Sequence, residues 1–374
     1  NKLKDNELAD KVKNAKKSKP KSKNNIIDVI ENIRQDVEKH LGEFRDNYQF
    51  ITDKQTFMNY IEKGNKFGIV ALDTETLGLN PITDGIVGLS MYFPGEKATY
   101  VPINHYNYFS DVRLEDQMTE TDVKDVLSKL TAKVIFHNAP FDIRVVKHHV
   151  GCRLEAFWDT LIAGQILNEN EAHGLKYMHG KYISKSDEQT FSDLFGNTLF
   201  KYIPIEYAYL YAAHDAIDTY ELYEYQKPLL ASTDKDMVDL NWLYRNIEIP
   251  MIDVIVDLED IGVAIDTEYL ATLHEKYTNN LVKALDKCIN EISDYMPNIE
   301  KYNASHINNP FKLPPNIGSS KQLAILFYDI LNCKPVNKKS ATCTDVDVMQ
   351  VFAKKYPIAK YILEYRAAQK ITST

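Results

Sequence analysis

Phe67-Gly-Ile-Val-Ala-Leu-Asp-Thr-Glu-Thr-Leu-Gly-Leu-Asn-Pro81 is the stretch whose reading decides the fold. An unbroken apolar run from Ile69 to Leu72 suits a strand buried on both faces, and the Gly-Leu-Asn-Pro that follows marks a turn. Side chains alternate along a strand, so Asp73 and Glu75 point the same way. Two carboxylates on one face repel each other, and burying them is costly unless a cation neutralises the pair. Hard oxygen ligands of this kind suit Mg²⁺ or Mn²⁺. The plainer alternative is a strand end that carries acids for solubility.

Two further segments bear on that choice. Lys133-Val-Ile-Phe-His-Asn-Ala-Pro-Phe-Asp142 reads as a short strand, then Asn138, then a helix starting near Pro140, where Asp142 is either a ligand or an acid favoured by the helix dipole. Glu206 to Gln226 reads as one helix in which Tyr211, Asp215, Thr219 and Leu222 share a face, with Pro228 marking its end. In a chain with 24 tyrosines, core packing is the competing account of Tyr211.

In order and on these elements, the three segments resemble the three motifs of the DEDD 3′-5′ exonucleases, in the branch with tyrosine in the third motif. The sister branch requires histidine five residues before the last aspartate, where this chain has Leu210. His214 lies about 100° round the helix from Asp215 and is a decoy. Tyr211-Ala-Ala-His-Asp-Ala and Phe157-Trp-Asp-Thr-Leu-Ile look like the proofreading domain of family A (Pol I-like) DNA polymerases. Asn246-Ile-Glu-Ile-Pro250, Leu258 to Asp266, Asn316 to Phe327 and Tyr361 to Thr374 look like that family's thumb, with Ser320 in place of its usual proline. No segment resembles the polymerase carboxylates, the fingers helix or a 5′-nuclease. This chain is therefore expected not to polymerise, and a phage type fits.

The resemblance implies an α/β fold: a ribonuclease H-like mixed sheet flanked by helices over residues 48–230, then a mainly helical thumb-like region over 231–374. Strands are expected at Ile69–Asp73, Ile86–Phe93, Thr99–Ile103, Val134–Phe136 and Leu154–Trp158. Helices are expected at Trp242–Ile261, Thr267–Tyr295, Ser320–Leu331 and Val346–Gln369, with a loop from Tyr302 to Pro315. It also implies two divalent cations, Mg²⁺ or Mn²⁺, about 4 Å apart. Asp73, Glu75 and Asp215 would hold one, Asp73 and Asp142 would share the other, and Tyr211 would orient the attacking water. Asn138 would contact the terminal nucleotide. Leu79 either wedges against its base or packs in the core. Asp159 is either an acid supporting the ligands or a helix N-cap, and Ser319 either a helix cap or part of a phosphate contact.

The expected partners are a single-stranded DNA 3′ end, primer-template DNA, and the palm and fingers of a polymerase in the same or another chain. Two other readings stay open: a non-catalytic module that guides DNA or docks a partner, and an RNA-trimming nuclease. The carboxylate set argues against the first and the thumb-like segment against the second.

Composition sets outer bounds. The 374 residues are 44% hydrophobic and 26% charged, with no apolar run near the ~18 residues that span a membrane, so no membrane partner and a cytoplasmic setting are expected. Cys152, Cys288, Cys333 and Cys343 lack zinc-ligand spacing and read as reduced thiols. A net charge of −9 runs against nucleic-acid binding in general. The local exception is Lys11 to Lys23, with seven lysines and no acid: a solvated tail or a phosphate-contacting arm. Residues 1–47 thus comprise that tail and a leading helix from Ile26 to Phe44.

Overall fold

The computed structural model describes residues 24–185, 188–231, 235–336 and 341–373. The basic run Lys11–Lys23 lies outside them. The chain divides into two compact units, one ending at Gly262 and the other beginning at Val263.

The first unit is built on a six-stranded mixed sheet, β1 Tyr48–Phe50, β2 Ile69–Thr76, β3 Ile86–Tyr92, β4 Ala98–Pro102, β5 Lys133–Phe136 and β6 Ala156–Asp159, in the order β1-β4-β3-β2-β5-β6. The β2-β3-β4 meander is antiparallel, whereas β1 joins β4, and β5 and β6 extend from β2, in parallel. This sheet with helices on both faces is the ribonuclease H-like arrangement. The strand β1 escapes sequence reading because three residues carry no period.

Alternation along β2 sorts the two faces. Val70 and Leu72 join a core with Phe57, Leu89, Phe136 and Ile143, while Ala71 packs with Trp158, Tyr220 and Tyr223 on the other side. Asp73 and Glu75 share the parity of Ala71 and so project toward the Ile205–Leu230 helix; Thr74 projects toward the Ala139–Val145 helix. Past Glu75 the register with β3 shifts, and such a bulge re-aims a strand end.

Opposite Glu75 in that ladder stands Gly88. A Cβ there would lie 2.1 Å from Tyr100 Oη and 2.3 Å from its Cζ. The Tyr100 ring is completely buried, with its hydroxyl 2.7 Å from His105 Nε2. Gly88→Ala is expected to force this ring out of place and to lower stability by about 2–3 kcal/mol, read as a shift in the urea midpoint.

Pro228 does not end the helix, which runs on to Leu230. Near the last turn a proline forfeits only one hydrogen bond, and completely buried Leu230 anchors that turn against the Trp158–Tyr244 cluster. Helical structure then resumes as Lys235–Leu243, a wide π-type turn over Tyr244–Glu248, and Ile249–Ile261. Pro250 has no N–H to return to the preceding turn, which accounts for the widening. Ile252 and Val256 join the β2-side core, so this stretch packs with the first unit beyond Leu230. The leading helix, Asn24–Leu41, buries Ile33, Val37 and Leu41 against the Ile205–Leu230 helix.

In the second unit the long Thr267–Ser293 helix packs on Pro357–Ser373. The stretch expected as one helix from Val346 is two, Val346–Ala353 and Pro357–Ser373, because a proline starts a helix more readily than it continues one. Met296–Ser305 is helical, so the expected loop begins after Ser305 rather than at Tyr302. Ser319 caps the five-residue helix that follows, its hydroxyl accepting from Gln322 N at 3.4 Å.

Candidate metal centre

Strand β2 and the Ile205–Leu230 helix bring Asp73, Glu75 and Asp215 together, with carboxylate oxygens within 4.8 Å of one another. Asp142 joins from the Ala139–Val145 helix. It is 2% exposed, and its Oδ1 accepts from both Thr74 N (3.0 Å) and Thr74 Oγ1 (2.6 Å). The residue between the two motif acids thus fixes the third acid, a function that the Asp-x-Glu pattern does not disclose.

Burial raises the pKa of all four carboxyls. Asp73 stands well above its ordinary value, first through burial and then through the charges of Asp142, Glu75 and Asp215. Glu75 is likewise well raised by burial and by Asp215. Burial pushes Asp142 up to about 7, against the two Thr74 hydrogen bonds that favour its ionised form. Asp215 is raised by burial, with Lys176 opposing. Glu75 Oε1 is buried without a hydrogen-bond partner. Four acids whose charges exclude one another, one of them with an unsatisfied oxygen, form an all-oxygen donor set suited to a hard divalent cation.

The Tyr211 phenol is pushed well above its ordinary range by burial and then by Asp215, Glu75 and Asp73. That shift favours the neutral phenol, a hydrogen-bond donor, in the metal-free site. Its ring sits among Phe191, Phe195 and Phe200. Leu210 is completely buried, and His214 turns away to Tyr48 Oη, 2.5 Å from its Nδ1.

Lys176 was not legible from any motif. Its ammonium pairs with Asp215 and with Asp218 Oδ2 at 2.7 Å, and despite burial these acids keep it charged. Lys176→Met is expected to destabilise the metal-free protein by about 3 kcal/mol or more, because removing one partner leaves buried charges uncompensated. Denaturation with and without Mg²⁺ checks this, with Mg²⁺ recovering part of the loss.

Asp159 is the N-cap of one helix and also accepts from the leading amides of another, whose own N-cap residue is Asn138. Its carboxylate accepts from Leu161 N and Ile162 N at the head of the Thr160–Leu167 helix, and from Asn138 N and Ala139 N at the head of the helix carrying Asp142. Asn138 itself is exposed, with a left-handed backbone (φ 77°, ψ 54°). Leu79 is 91% exposed, which excludes the core alternative. It stands on a tied loop: Thr76 Oγ1 donates to Gly78 O at 2.7 Å, and Asn80 N to Asp84 Oδ2 at 2.9 Å. Leu77 and Ile82 are exposed beside it in sequence.

Residues 48–231 match a family model described as 3′-5′ exonuclease. This segment belongs to the 3′-5′ exonuclease family of the family A DNA polymerases. Similarity to curated polymerases extends beyond the exonuclease segment. DNA polymerase I of Treponema pallidum is 27% identical over 92% of this chain and 36% of its own length. The DNA polymerase of Escherichia phage T5 is 28% identical over 94% and 40%. The chain thus spans about two-fifths or less of these relatives. The POL domain of Pol1 from M. smegmatis, solved in complex with DNA primer-template and dNTP, shares the fold at TM-score 0.56 and 16% identity, over 87% of this chain and 49% of that one.

Proposed function

We propose that this chain is the proofreading part of a family A DNA polymerase, removing nucleotides from single-stranded or frayed DNA 3′ ends with the help of two divalent cations. The convergence of four charge-frustrated carboxylates, Asp142 and Asp215 buried and Asp73 and Glu75 half-buried, supports this reading most. Asp73, Glu75 and Asp215 would hold one ion, and Asp73 with Asp142 the other. Bound there, Mg²⁺ or Mn²⁺ would lower the pKa of an attacking water and offset charge on the departing 3′ oxygen.

The chain's own residues do the positioning. Tyr211, held as a neutral phenol, directs a hydrogen bond to the water and leaves its deprotonation to the carboxylate and cation field. Thr74 keeps one Asp142 oxygen engaged and so sets the direction of the other. Asn138, exposed at the start of the Asp142 helix, would hydrogen-bond the terminal nucleotide. Leu79 offers an apolar face to its base from a braced loop. Such contacts tolerate any sequence, so selectivity comes from fraying: a mismatched end unpairs at lower cost. The thumb-like role of the second unit, a primer-template partner, palm and fingers in the same or another chain, and a cytoplasmic setting belong to the same proposal. Among the described residues no helix is long and apolar enough to cross a membrane.

The test incubates the protein in Mg²⁺ with single-stranded DNA carrying a free or a blocked 3′ end, beside Asp73→Ala. Nucleotide release from the free end alone, abolished in the variant, supports the reading. No release in Mg²⁺ or Mn²⁺ while DNA stays bound would replace it with a DNA-guiding module.

A further inference from the structure

A second constellation adjoins the nuclease centre on the Ile205–Leu230 helix, where His214, Asp218 and Glu221 recur at spacings of four and three. His179 meets them from the Leu175–His179 helix, and Glu188 from the segment after it. Asp218 is completely buried. Its Oδ2 takes the Lys176 ammonium at 2.7 Å, yet its Oδ1 is buried and accepts no hydrogen bond.

Three separations around that orphaned oxygen are wide for hydrogen bonds and close to those between the ligands of one metal ion. His214 Nε2 lies 3.5 Å from Asp218 Oδ1, His179 Nε2 lies 3.6 Å from it, and His214 Nε2 lies 3.6 Å from Glu188 Oε2. All three separations exceed the usual hydrogen-bond range. A tetrahedral ion holding nitrogen and oxygen donors at about 2.1 Å places neighbouring donors about 3.4 Å apart. His179, Glu188 and Asp218 present donor atoms that all fall within 4.8 Å of one another; His214 Nε2 lies outside that mutual set and adjoins two of its members, Asp218 and Glu188.

One remaining ring nitrogen is already oriented, His214 Nδ1 at 2.5 Å from Tyr48 Oη, whereas the 3.1 Å contact of His179 Nδ1 with Glu188 Oε1 is one that ligation by Glu188 would replace. Partners on the second nitrogen fix the ring and tautomer of a ligating histidine. The site borders a cavity of about 780 Å³ also lined by Phe44, Lys97 and Tyr211, which gives an ion a way in. His179 Nε2 also lies 2.8 Å from Glu221 Oε2, so a proton and a cation compete for this nitrogen.

We infer that His179, Glu188 and Asp218, with His214 drawn in as the fourth donor, form a second metal site, for one zinc-class ion with a structural role. Two imidazoles with two carboxylates suit Zn²⁺, whereas the all-oxygen nuclease set suits Mg²⁺ or Mn²⁺. The ion would tie the Leu175–His179 helix and Glu188 to the nuclease helix. Through Asp218 it would also hold Lys176, which reaches Asp215. The inference does not depend on which nucleic acid the nuclease centre takes.

The test strips the full chain with a chelator and titrates Co²⁺, then Zn²⁺, in excess Mg²⁺, reading Co²⁺ visible absorption and bound metal per chain by elemental analysis. Asp73→Ala serves as the background that disables the nuclease set. One Co²⁺ per chain is expected, with the intense bands of a tetrahedral site, retained in Asp73→Ala and displaced by Zn²⁺. His214→Gln should abolish it, and Tyr48→Phe should weaken it by about ten- to a hundredfold. Zinc should also raise the melting temperature of Asp73→Ala but not of the Asp73→Ala/His214→Gln double variant. No Co²⁺ or Zn²⁺ retained in Asp73→Ala, or unchanged retention in folded His214→Gln, overturns the site and leaves a proton-held ion-pair network. Because the first of these outcomes is read without altering the proposed ligands, a misfolded His214→Gln would not shield the inference.

Discussion

Replacing Asp142 with asparagine is expected to cut nucleotide release by on the order of a thousandfold while raising the melting temperature of the metal-free protein at pH 8. The two signs have one cause. Asp142 is buried and held by Thr74, and burial has pushed its pKa up to about 7. At pH 8 it is ionised beside Asp73, whose own pKa its charge helps to raise. Asparagine has nearly the same shape, and its carbonyl can accept both Thr74 hydrogen bonds. The substitution therefore removes a buried charge and its repulsion without opening a cavity, and such neutralisation of an unpaired buried ion tends to stabilise. The same charge is what a divalent ion would bind, so the gain disappears when Mg²⁺ is saturating. Activity on a free 3′ end and paired melts with and without Mg²⁺ check both halves. A lower melting temperature for metal-free Asp142→Asn would mean that the ionised carboxylate supports the fold.

The second large effect concerns pH. For each of Asp73, Glu75, Asp142 and Asp215 the folded pKa lies above the unfolded value. The folded state therefore binds more protons, and stability falls as pH rises. For Asp142 the loss begins above the ordinary aspartate value of 3.8 and is complete above about 7. Asp260 has the opposite sign. Although partly desolvated, it is held well below the usual range by Lys147, His148 and Arg144, so its contribution is lost only in acid. The metal-free protein should thus be most stable near pH 5. Its first unit should melt on the order of 5 °C lower by pH 8, a difference that Mg²⁺ largely removes. Scanning calorimetry in chelator across this range measures it. A melting temperature that does not fall from pH 5 to pH 8 would show that the carboxylates are not strained against one another.

The parts of this site that are legible from sequence are those set by local periodicity. Asp73 and Glu75 follow from the two-residue repeat of β2, Tyr211 and Asp215 from the four-residue spacing of a helix, and Asp142 from a helix start after a short strand. The parts that are not legible depend on which elements the fold places side by side. Thr74 reaches a carboxylate 68 residues away, and Lys176 reaches Asp218 across 42. No spacing rule connects them. His214 shows the limit in the other direction: its helix position turns it toward Tyr48, but the neighbourhood it joins is visible only once Tyr48, Glu188 and Asp218 are brought together. In the fold, the strands that carry the site were readable from apolar runs. The three-residue β1 was not, and prolines misled at both ends of their range: Pro228 is tolerated inside a last turn, whereas Pro357 begins a new helix.

The shared carboxylate of Asp159 has a dynamic consequence. One carboxylate satisfies the leading amides of two helices, so neither helix start can fray without releasing an acceptor on which the other depends. The amides of Asn138, Ala139, Leu161 and Ile162 should therefore exchange with solvent as one cooperative group rather than as two independent ends. The Asp142 helix, which continues into a π-type turn over Val146–Val150, is thereby pinned at its start to the head of a second helix.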